Sequence, residues 1–110
     1  MTPHSLGKVA TNLGTPVQIT STYTAACKIR LEATTASNTT ATTRVGTADL
    51  ATGRTDPGTI ADLVAVDGQP RPALEIQTAD ETNTLNLADY WIMAPHDDTS
   101  AGVHVTYWTA

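Results

Sequence analysis

The sequence predicts an all-β protein, a single-domain antiparallel β-sandwich of about eight short strands. Threonine, a β-branched residue that favours strands, is the commonest residue with 22 of 110 positions, whereas Glu and Lys number only three and two. Apolar and polar residues alternate along several short segments. Turn-forming residues separate these segments at intervals of about 8–14 residues. Two packed sheets, wired as a jelly roll, are the architecture that this pattern favours.

The segment Ala25–Thr34 shows the clearest alternation in the chain and is predicted to be a half-buried strand. One face is apolar and carries Ala25, Cys27, Ile29, Leu31 and Ala33. The other face is predicted to be exposed to solvent and carries Ala26, Lys28, Arg30, Glu32 and Thr34. Cys27, the only cysteine, is then a core residue, and an intrachain disulfide is impossible.

Three further strands are predicted in the first half of the chain. Val17–Thr20 follows a turn, and Lys8–Asn12 is expected to pair near it as an edge strand. Ala41–Gly46 is the next strand, with Ala41, Thr43 and Val45 on one side. Residues 47–59 are rich in turn formers, including Asp56-Pro57-Gly58, and are predicted to form a long surface loop.

The second half contains four more predicted strands. Ile60–Val66 ends at a hairpin signal, although a one-turn helix over 59–65 is an alternative, and Pro72–Thr78 follows with Leu74 and Ile76 inward. Leu85–Ala94 begins with an irregular bend at Leu87–Asp89 and becomes apolar on both faces, which is typical of a central strand or one covered by a partner. In the last strand Val103, Val105, Tyr107 and Thr109 alternate with His104, Thr106 and Trp108.

The charge distribution argues against some classes of partner. The net charge is −5, divided into +3 over residues 1–48 and −8 over residues 49–110. This asymmetry is either ordinary solvated surface or complementarity between neighbouring copies. Because no basic run occurs, we expect no nucleic-acid binding. The absence of a secretory or transmembrane segment predicts a protein made in the cytoplasm without membrane contact.

The sequence offers little catalytic or metal-binding chemistry. His96-Asp97-Asp98 places three polar groups in one loop, but a metal site requires ligands that converge from other segments. Asp89 is expected to cap backbone amides in a turn. Neither a nucleophile elbow nor a phosphate-binding loop is present. We therefore predict a protein that is not an enzyme and has no catalytic residues, metal or cofactor.

Several segments together resemble a known type of protein. They are Thr15–Thr20 (TPVQIT), Cys27–Ala33, Asn38–Gly46, Pro57-Gly58, Leu87–Ala94 (LADYWIMA) and Gly102–Tyr107 (GVHVTY). Their order resembles the small structural proteins of tailed bacteriophages, in particular the capsid decoration (cement) proteins. The resemblance implies a virion protein on the capsid surface that binds the major capsid protein and associates with itself as a dimer or trimer.

The residues predicted to make these contacts are an outward tryptophan, charges of the exposed strand face and acidic loop residues. They are Trp91, Trp108, Lys28, Arg30, Glu32, Asp56, Asp97 and Asp98. An outward tryptophan also suits a tail-fibre or receptor-binding module that recognises glycans, which is the alternative. A third alternative is an enzyme whose pocket brings together Asp89, His96 and His104.

Overall fold

The computed structural model describes all residues from Met1 to Ala110 and contains ten strands and three short helices. The strands are β1 (Thr2–Ala10), β2 (Val17–Gln18), β3 (Ala25–Ala26), β4 (Lys28–Thr34), β5 (Thr40–Gly46), β6 (Thr59–Val66), β7 (Ala73–Gln77), β8 (Leu85–Asn86), β9 (Trp91–Met93) and β10 (Gly102–Thr109). The helices are a 3₁₀ helix at Ala48–Thr52, α1 (Thr55–Gly58) and a second 3₁₀ helix at Leu87–Asp89.

Eight of the ten strands form two four-stranded antiparallel sheets. The first sheet has the strand order β1-β10-β4-β7, and the second has the order β2-β9-β5-β6. The remaining strands, β3 and β8, form a two-residue pair. The predicted all-β antiparallel fold is therefore confirmed, and about eight strands is the right number for the two main sheets.

The main core lies between the two sheets and is built almost entirely from aliphatic side chains. The first sheet contributes Ile29, Leu31, Ala33, Val103 and Val105, and the second contributes Val45, Leu63, Ala65 and Ile92. Tyr90 and Tyr107 pack against this cluster from its margin. Because buried and more exposed residues alternate along β4 and β6, the same alternation fixes which of their side chains point to solvent on the outer face of each sheet.

The strand predicted at Ala25–Thr34 is interrupted at Cys27, which corrects the predicted single strand. Ala26 and Cys27 are both completely buried, so the strict alternation begins only at Lys28. The backbone N–H of Cys27 donates to the carbonyl of Trp108 at 2.8 Å, and the carbonyl of Cys27 accepts from the N–H of Thr78 at 2.9 Å. Cys27 is a free, buried core residue, as predicted.

The N-terminal strand differs from the prediction in length and in partner. We expected Lys8–Asn12 to pair near Val17–Thr20, but β1 begins at Thr2 and pairs with β10 along its whole length. Between the two predicted segments the structure has only an isolated bridge, which pairs Asn12 with Thr15. Sequence patterning missed the first half of β1 because its residues are exposed and carry no apolar alternation.

The surface loop predicted over residues 47–59 is largely helical, so that prediction is wrong. The Thr47 hydroxyl accepts from the Asp49 N–H at the start of the first 3₁₀ helix, and Gly53 ends it with a φ of +79°. Leu50 is 1 % exposed, because this segment folds its single leucine against the end of the second sheet. The turn predicted at Asp56-Pro57-Gly58 lies within α1.

Candidate functional site

The outer surface of the first sheet, which we call the first-sheet face, brings four of the predicted contact residues together. Burial of Ile29 and Leu31 directs Lys28, Arg30 and Glu32 of β4 outward, as the alternation predicted. The register then sets Trp108 of β10 opposite Lys28, Thr106 opposite Arg30 and His104 opposite Glu32. The face also includes Lys8 of β1 and Glu75 of β7.

Trp108 is the aromatic side chain at one end of the first-sheet face. The Nζ atom of Lys28 lies 4.8 Å from the centroid of the Trp108 ring, a distance at which the cation is attracted to the ring quadrupole. The same Nζ atom is 2.8 Å from Oε2 of Glu75. Lys28 is therefore held between an aromatic ring and a carboxylate, and the indole ring is half-buried beside it.

Glu75 joins the two cations of β4 into one network. Its Oε1 atom lies 3.5 Å from Nη1 of Arg30, while its other carboxylate oxygen contacts Lys28. The hydrogen bond from Lys28, together with the nearby positive charges of Lys28 and Arg30, lowers the pKa of Glu75 below its ordinary value. Because the carboxylate is exposed, the network orders the side chains more than it stabilises the fold.

The first-sheet face also differs in charge from the rest of the molecule. It holds three cations and two carboxylates, a net charge of +1, and the total of −5 leaves −6 on all other surfaces. The cations on this face are Lys8, Lys28 and Arg30, and the carboxylates are Glu32 and Glu75. The face therefore carries a small positive net charge, whereas the remaining surfaces taken together are acidic.

Trp91 lies on the second sheet, so the two predicted tryptophans do not share a surface. Its neighbour Ile92 is fully buried, which turns Trp91 and Met93 of β9 toward the outer side of that sheet. Both tryptophans are half-buried, while the adjacent Tyr90 and Tyr107 pack against the core. Burial, with a smaller contribution from the Asp89 carboxylate, raises the pKa of the Tyr90 phenol.

The three aspartates among the predicted contact residues lie elsewhere, and two of them have local structural contacts. Asp98 accepts a hydrogen bond from the backbone N–H of Thr42 at 2.9 Å and so ties the 95–101 loop to β5. Asp97 has a φ of +57°, and its carboxylate lies so close to Gly14 that a side chain there would collide with it. Asp56 is exposed on α1; the pKa of Arg44 is raised chiefly by its hydrogen bond to Asp62, and the Asp56 charge adds a smaller contribution.

Sequence reasoning missed Glu75 as a member of the candidate site. The alternation of β7 did predict that Glu75 points outward. Its meeting with Lys28 and Arg30 depends on the pairing of β4 with β7, in which Arg30 lies opposite Glu75. No local signal in the sequence specifies that pairing, since the two strands are separated by more than one other strand.

No pocket is found. No three His, Cys, Asp or Glu side chains are grouped in a way that could hold a metal ion. None of the helices has the length and apolar character needed to cross a bilayer.

Fold and site together define an all-β protein of two packed sheets whose most distinctive surface is a charged sheet face with an aromatic side chain at one end. Comparisons with protein-family models, with curated proteins and with solved structures found no match in any of the three. A functional assignment therefore has to come from the residues of this chain.

Proposed function

We propose that this protein is a non-enzymatic virion structural protein that binds the assembled shell of a tailed bacteriophage and stabilises it as a decoration, or cement, protein. The observation that carries the proposal is the half-buried Trp108 on the first-sheet face, with Lys28 over its ring and Glu75 joining Lys28 to Arg30. A sheet face with an aromatic anchor and nearby charges, on a molecule without a pocket, suits a protein partner better than a small substrate. The partner is the major capsid protein.

The strand order supports this proposal at the level of the fold. Two four-stranded antiparallel sheets with the orders β1-β10-β4-β7 and β2-β9-β5-β6 are compatible with jelly-roll wiring of eight strands. Jelly rolls recur in viral capsid proteins and in lectins. Since one fold supports many functions, the strand order adds weight to the proposal only together with the first-sheet face.

Stabilisation would operate by mass action. A protein that binds the assembled shell and not its dissociated subunits stabilises the shell in proportion to occupancy and affinity. The Lys28–Glu75 and Arg30–Glu75 contacts hold the long side chains of β4 in place before binding, which reduces the entropy lost on association. Many copies on one lattice add their individual contributions.

The test is binding of the purified protein to purified phage capsids, with Trp108→Ala as the variant and Trp91→Ala as its matched control. Removing the indole from the first-sheet face is expected to weaken capsid binding by about tenfold or more, as for an interface anchor. Trp91→Ala, on the other sheet, is expected to bind like the wild type. Wild-type protein that neither binds capsids nor raises their heat stability would refute the proposal.

The glycan-binding alternative is decided by the same variants. Stacking on a sugar requires a free indole face, and the ammonium group of Lys28 already lies over the Trp108 ring. A glycan array probed with the wild type and Trp108→Ala separates the two functions. Sugar binding that is lost in Trp108→Ala, without any capsid binding, would replace the decoration role by a receptor-binding role.

A further inference from the structure

The two main sheets have four edge strands, and three of them carry features that discourage pairing with another chain. β1 contains Pro3 and a register shift between Ser5 and Gly7. β2 is only two residues long. β7 has only five residues and follows directly after Pro72. The proline and register shift of β1 and the short lengths of β2 and β7 each limit the row of backbone groups that a new strand would need.

The fourth edge strand, β6, lacks this protection. It has eight residues, with neither proline nor lysine, and its only irregularity lies at its first end, beside Gly46. Three apolar side chains of β6 are exposed: Ile60 at 43 %, Val64 at 51 % and Val66 at 40 %. The backbone groups of residues 60–65 make no hydrogen bond beyond the sheet ladder with β5.

The single charge of β6 is already neutralised within the molecule. Arg44 of β5 donates to Asp62 from Nε to Oδ1 at 2.8 Å and from Nη2 to Oδ2 at 3.1 Å. A carboxylate held by a bidentate guanidinium repels an approaching strand much less than a free one. The exposed edge is therefore apolar, electrically balanced and unpaired along most of its length.

We propose that β6 pairs antiparallel with β6 of a second copy of this chain, which joins the two second sheets into one eight-stranded sheet. Centred on Leu63, the two-fold pairing sets Val66 opposite Ile60 of the second copy and Val64 opposite Asp62 of the second copy. Residues whose side chains point into the core then lie opposite residues of the second copy whose side chains also point into its core, as the alternation of strand side chains requires. This inference stands independently of the capsid-binding role, because β6 belongs to the other sheet.

A second copy suits this edge better than an unrelated partner because the strand is complementary to itself. In the register centred on Leu63 no like charges lie directly opposite each other, and each Asp62 keeps its own Arg44. The contact involves far fewer residues than the roughly 20–30 per side of a standard interface, so we expect weak, reversible dimerisation. Repetition of the contact on a lattice would strengthen it through effective concentration.

The experiment is analytical ultracentrifugation of the full chain from micromolar to millimolar concentration. The wild type is expected to show a reversible monomer–dimer equilibrium. Val64→Asp places a carboxylate opposite Asp62 in both halves of the interface, which is expected to weaken dimerisation by about tenfold or more. Val64→Lys instead places an ammonium group opposite Asp62 and is expected to retain the dimer.

Tyr23→Asp is the matched control, because Tyr23 is 72 % exposed and lies outside the β6 edge. It makes the same charge change as Val64→Asp and is expected to dimerise like the wild type. A wild type that stays monomeric at all concentrations, or equal weakening by Val64→Asp and Tyr23→Asp, overturns the proposal. Weakening by Val64→Lys as strong as that by Val64→Asp overturns the register.

Hydrogen exchange checks the same contact residue by residue. The amides of residues 61–65 are expected to gain protection as the wild-type concentration rises, and Val64→Asp is expected to abolish that gain. The amides of residues 2–6, on the β1 edge, provide an internal control whose exchange should not change. A concentration-dependent gain on β1 alone would contradict pairing through β6. Capsid binding by the first-sheet face is measured separately, so failure of either proposal leaves the other testable.

Discussion

At the scale of single residues, two buried threonine hydroxyls of the core differ in how they are satisfied. Thr43, which is fully buried, accepts a hydrogen bond from the backbone N–H of Gly102 at 3.0 Å and donates to the Gly102 carbonyl at 3.3 Å. Thr34 is 5 % exposed, and its hydroxyl has no partner. Thr43 thus ties β5 of the second sheet to the start of β10 in the first, whereas the Thr34 hydroxyl connects nothing.

Replacing each threonine by the isosteric valine should therefore have different effects on stability. Thr43→Val leaves the buried N–H of Gly102 without a partner and is expected to lower the free energy of unfolding by about 1–3 kcal/mol. Thr34→Val removes an unsatisfied hydroxyl and is expected to leave stability unchanged or to raise it by up to about 1 kcal/mol. Urea unfolding measures both. Equal losses in the two variants would contradict this account of the hydroxyls.

At the scale of elements, the helical segment over residues 48–58 depends on close packing against β5. A Cβ atom at Gly46 would overlap the carbonyl of Gly58 and the side chain of Leu50. The Thr47 N–H also donates to the Gly58 carbonyl at 2.9 Å, which holds α1 against the end of β5. The segment therefore covers the end of the second sheet, and Leu50 is the side chain that packs it there.

Truncating the Leu50 side chain should lower the stability of the fold substantially, although the segment is short. Leu50→Ala is expected to lower the free energy of unfolding by about 2–5 kcal/mol, because a fully buried leucine is lost and a cavity remains. Leu13→Ala is the control, since Leu13 is 48 % exposed, and we expect a change within about 0.5 kcal/mol. Thermal and urea unfolding give both values. A loss as small as that of Leu13→Ala would mean that the segment does not pack as described.

The β5–β6 strand pair should show a pH dependence of stability. The hydrogen bonds from Arg44 lower the pKa of Asp62 below its ordinary value of 3.8. The folded state therefore binds this proton less readily than the unfolded state, so the stabilisation is present above pH 3.8 and is lost as the pH falls through the folded pKa. Because Asp62 is 40 % exposed, the pair contributes no more than about 1 kcal/mol.

The measurement is the free energy of unfolding of Asp62→Asn and of the wild type from pH 7 to pH 2. The difference between them is expected to be present at neutral pH and to disappear in acid. Glu81→Gln is the control, since Glu81 is exposed and belongs to no ion pair. An Asp62→Asn difference that persists at pH 2 would show that packing, and not the charge, is responsible.

At the scale of the whole molecule, local patterns predicted most strands but not their partners. Alternation over residues 28–33 and 103–105 placed the buried and exposed side chains correctly, whereas Thr34, which was predicted on the exposed face, is buried. The pairing of Thr2 with Thr109 joins the two ends of the chain, and no local pattern encodes such a contact. Leu50, a lone apolar residue among turn formers, was the one available signal that residues 47–59 fold back on the core.

The candidate site was also predictable only in part, from the alternation along single strands and not from the pairing between them. The outward orientation of Lys28, Arg30 and Glu32 follows from the period of two along one strand. The contacts of Lys28 with Trp108 and with Glu75 depend on the strand order β10-β4-β7, which is a property of the whole sheet. The separation of Trp91 from Trp108 has the same origin, since the last two main-sheet strands of the chain lie in different sheets.

The pairing of β1 with β10 has a practical consequence for anyone labelling this molecule. Thr2 lies opposite Thr109 and Pro3 opposite Trp108, so both termini leave the protein side by side at the tryptophan end of the first-sheet face. An affinity tag or fluorescent reporter fused to either terminus is thus tethered where the partner is proposed to dock. A circular permutant, with the present termini joined by a short linker and new ones opened at the exposed Gly68 turn, would carry its cargo away from that surface.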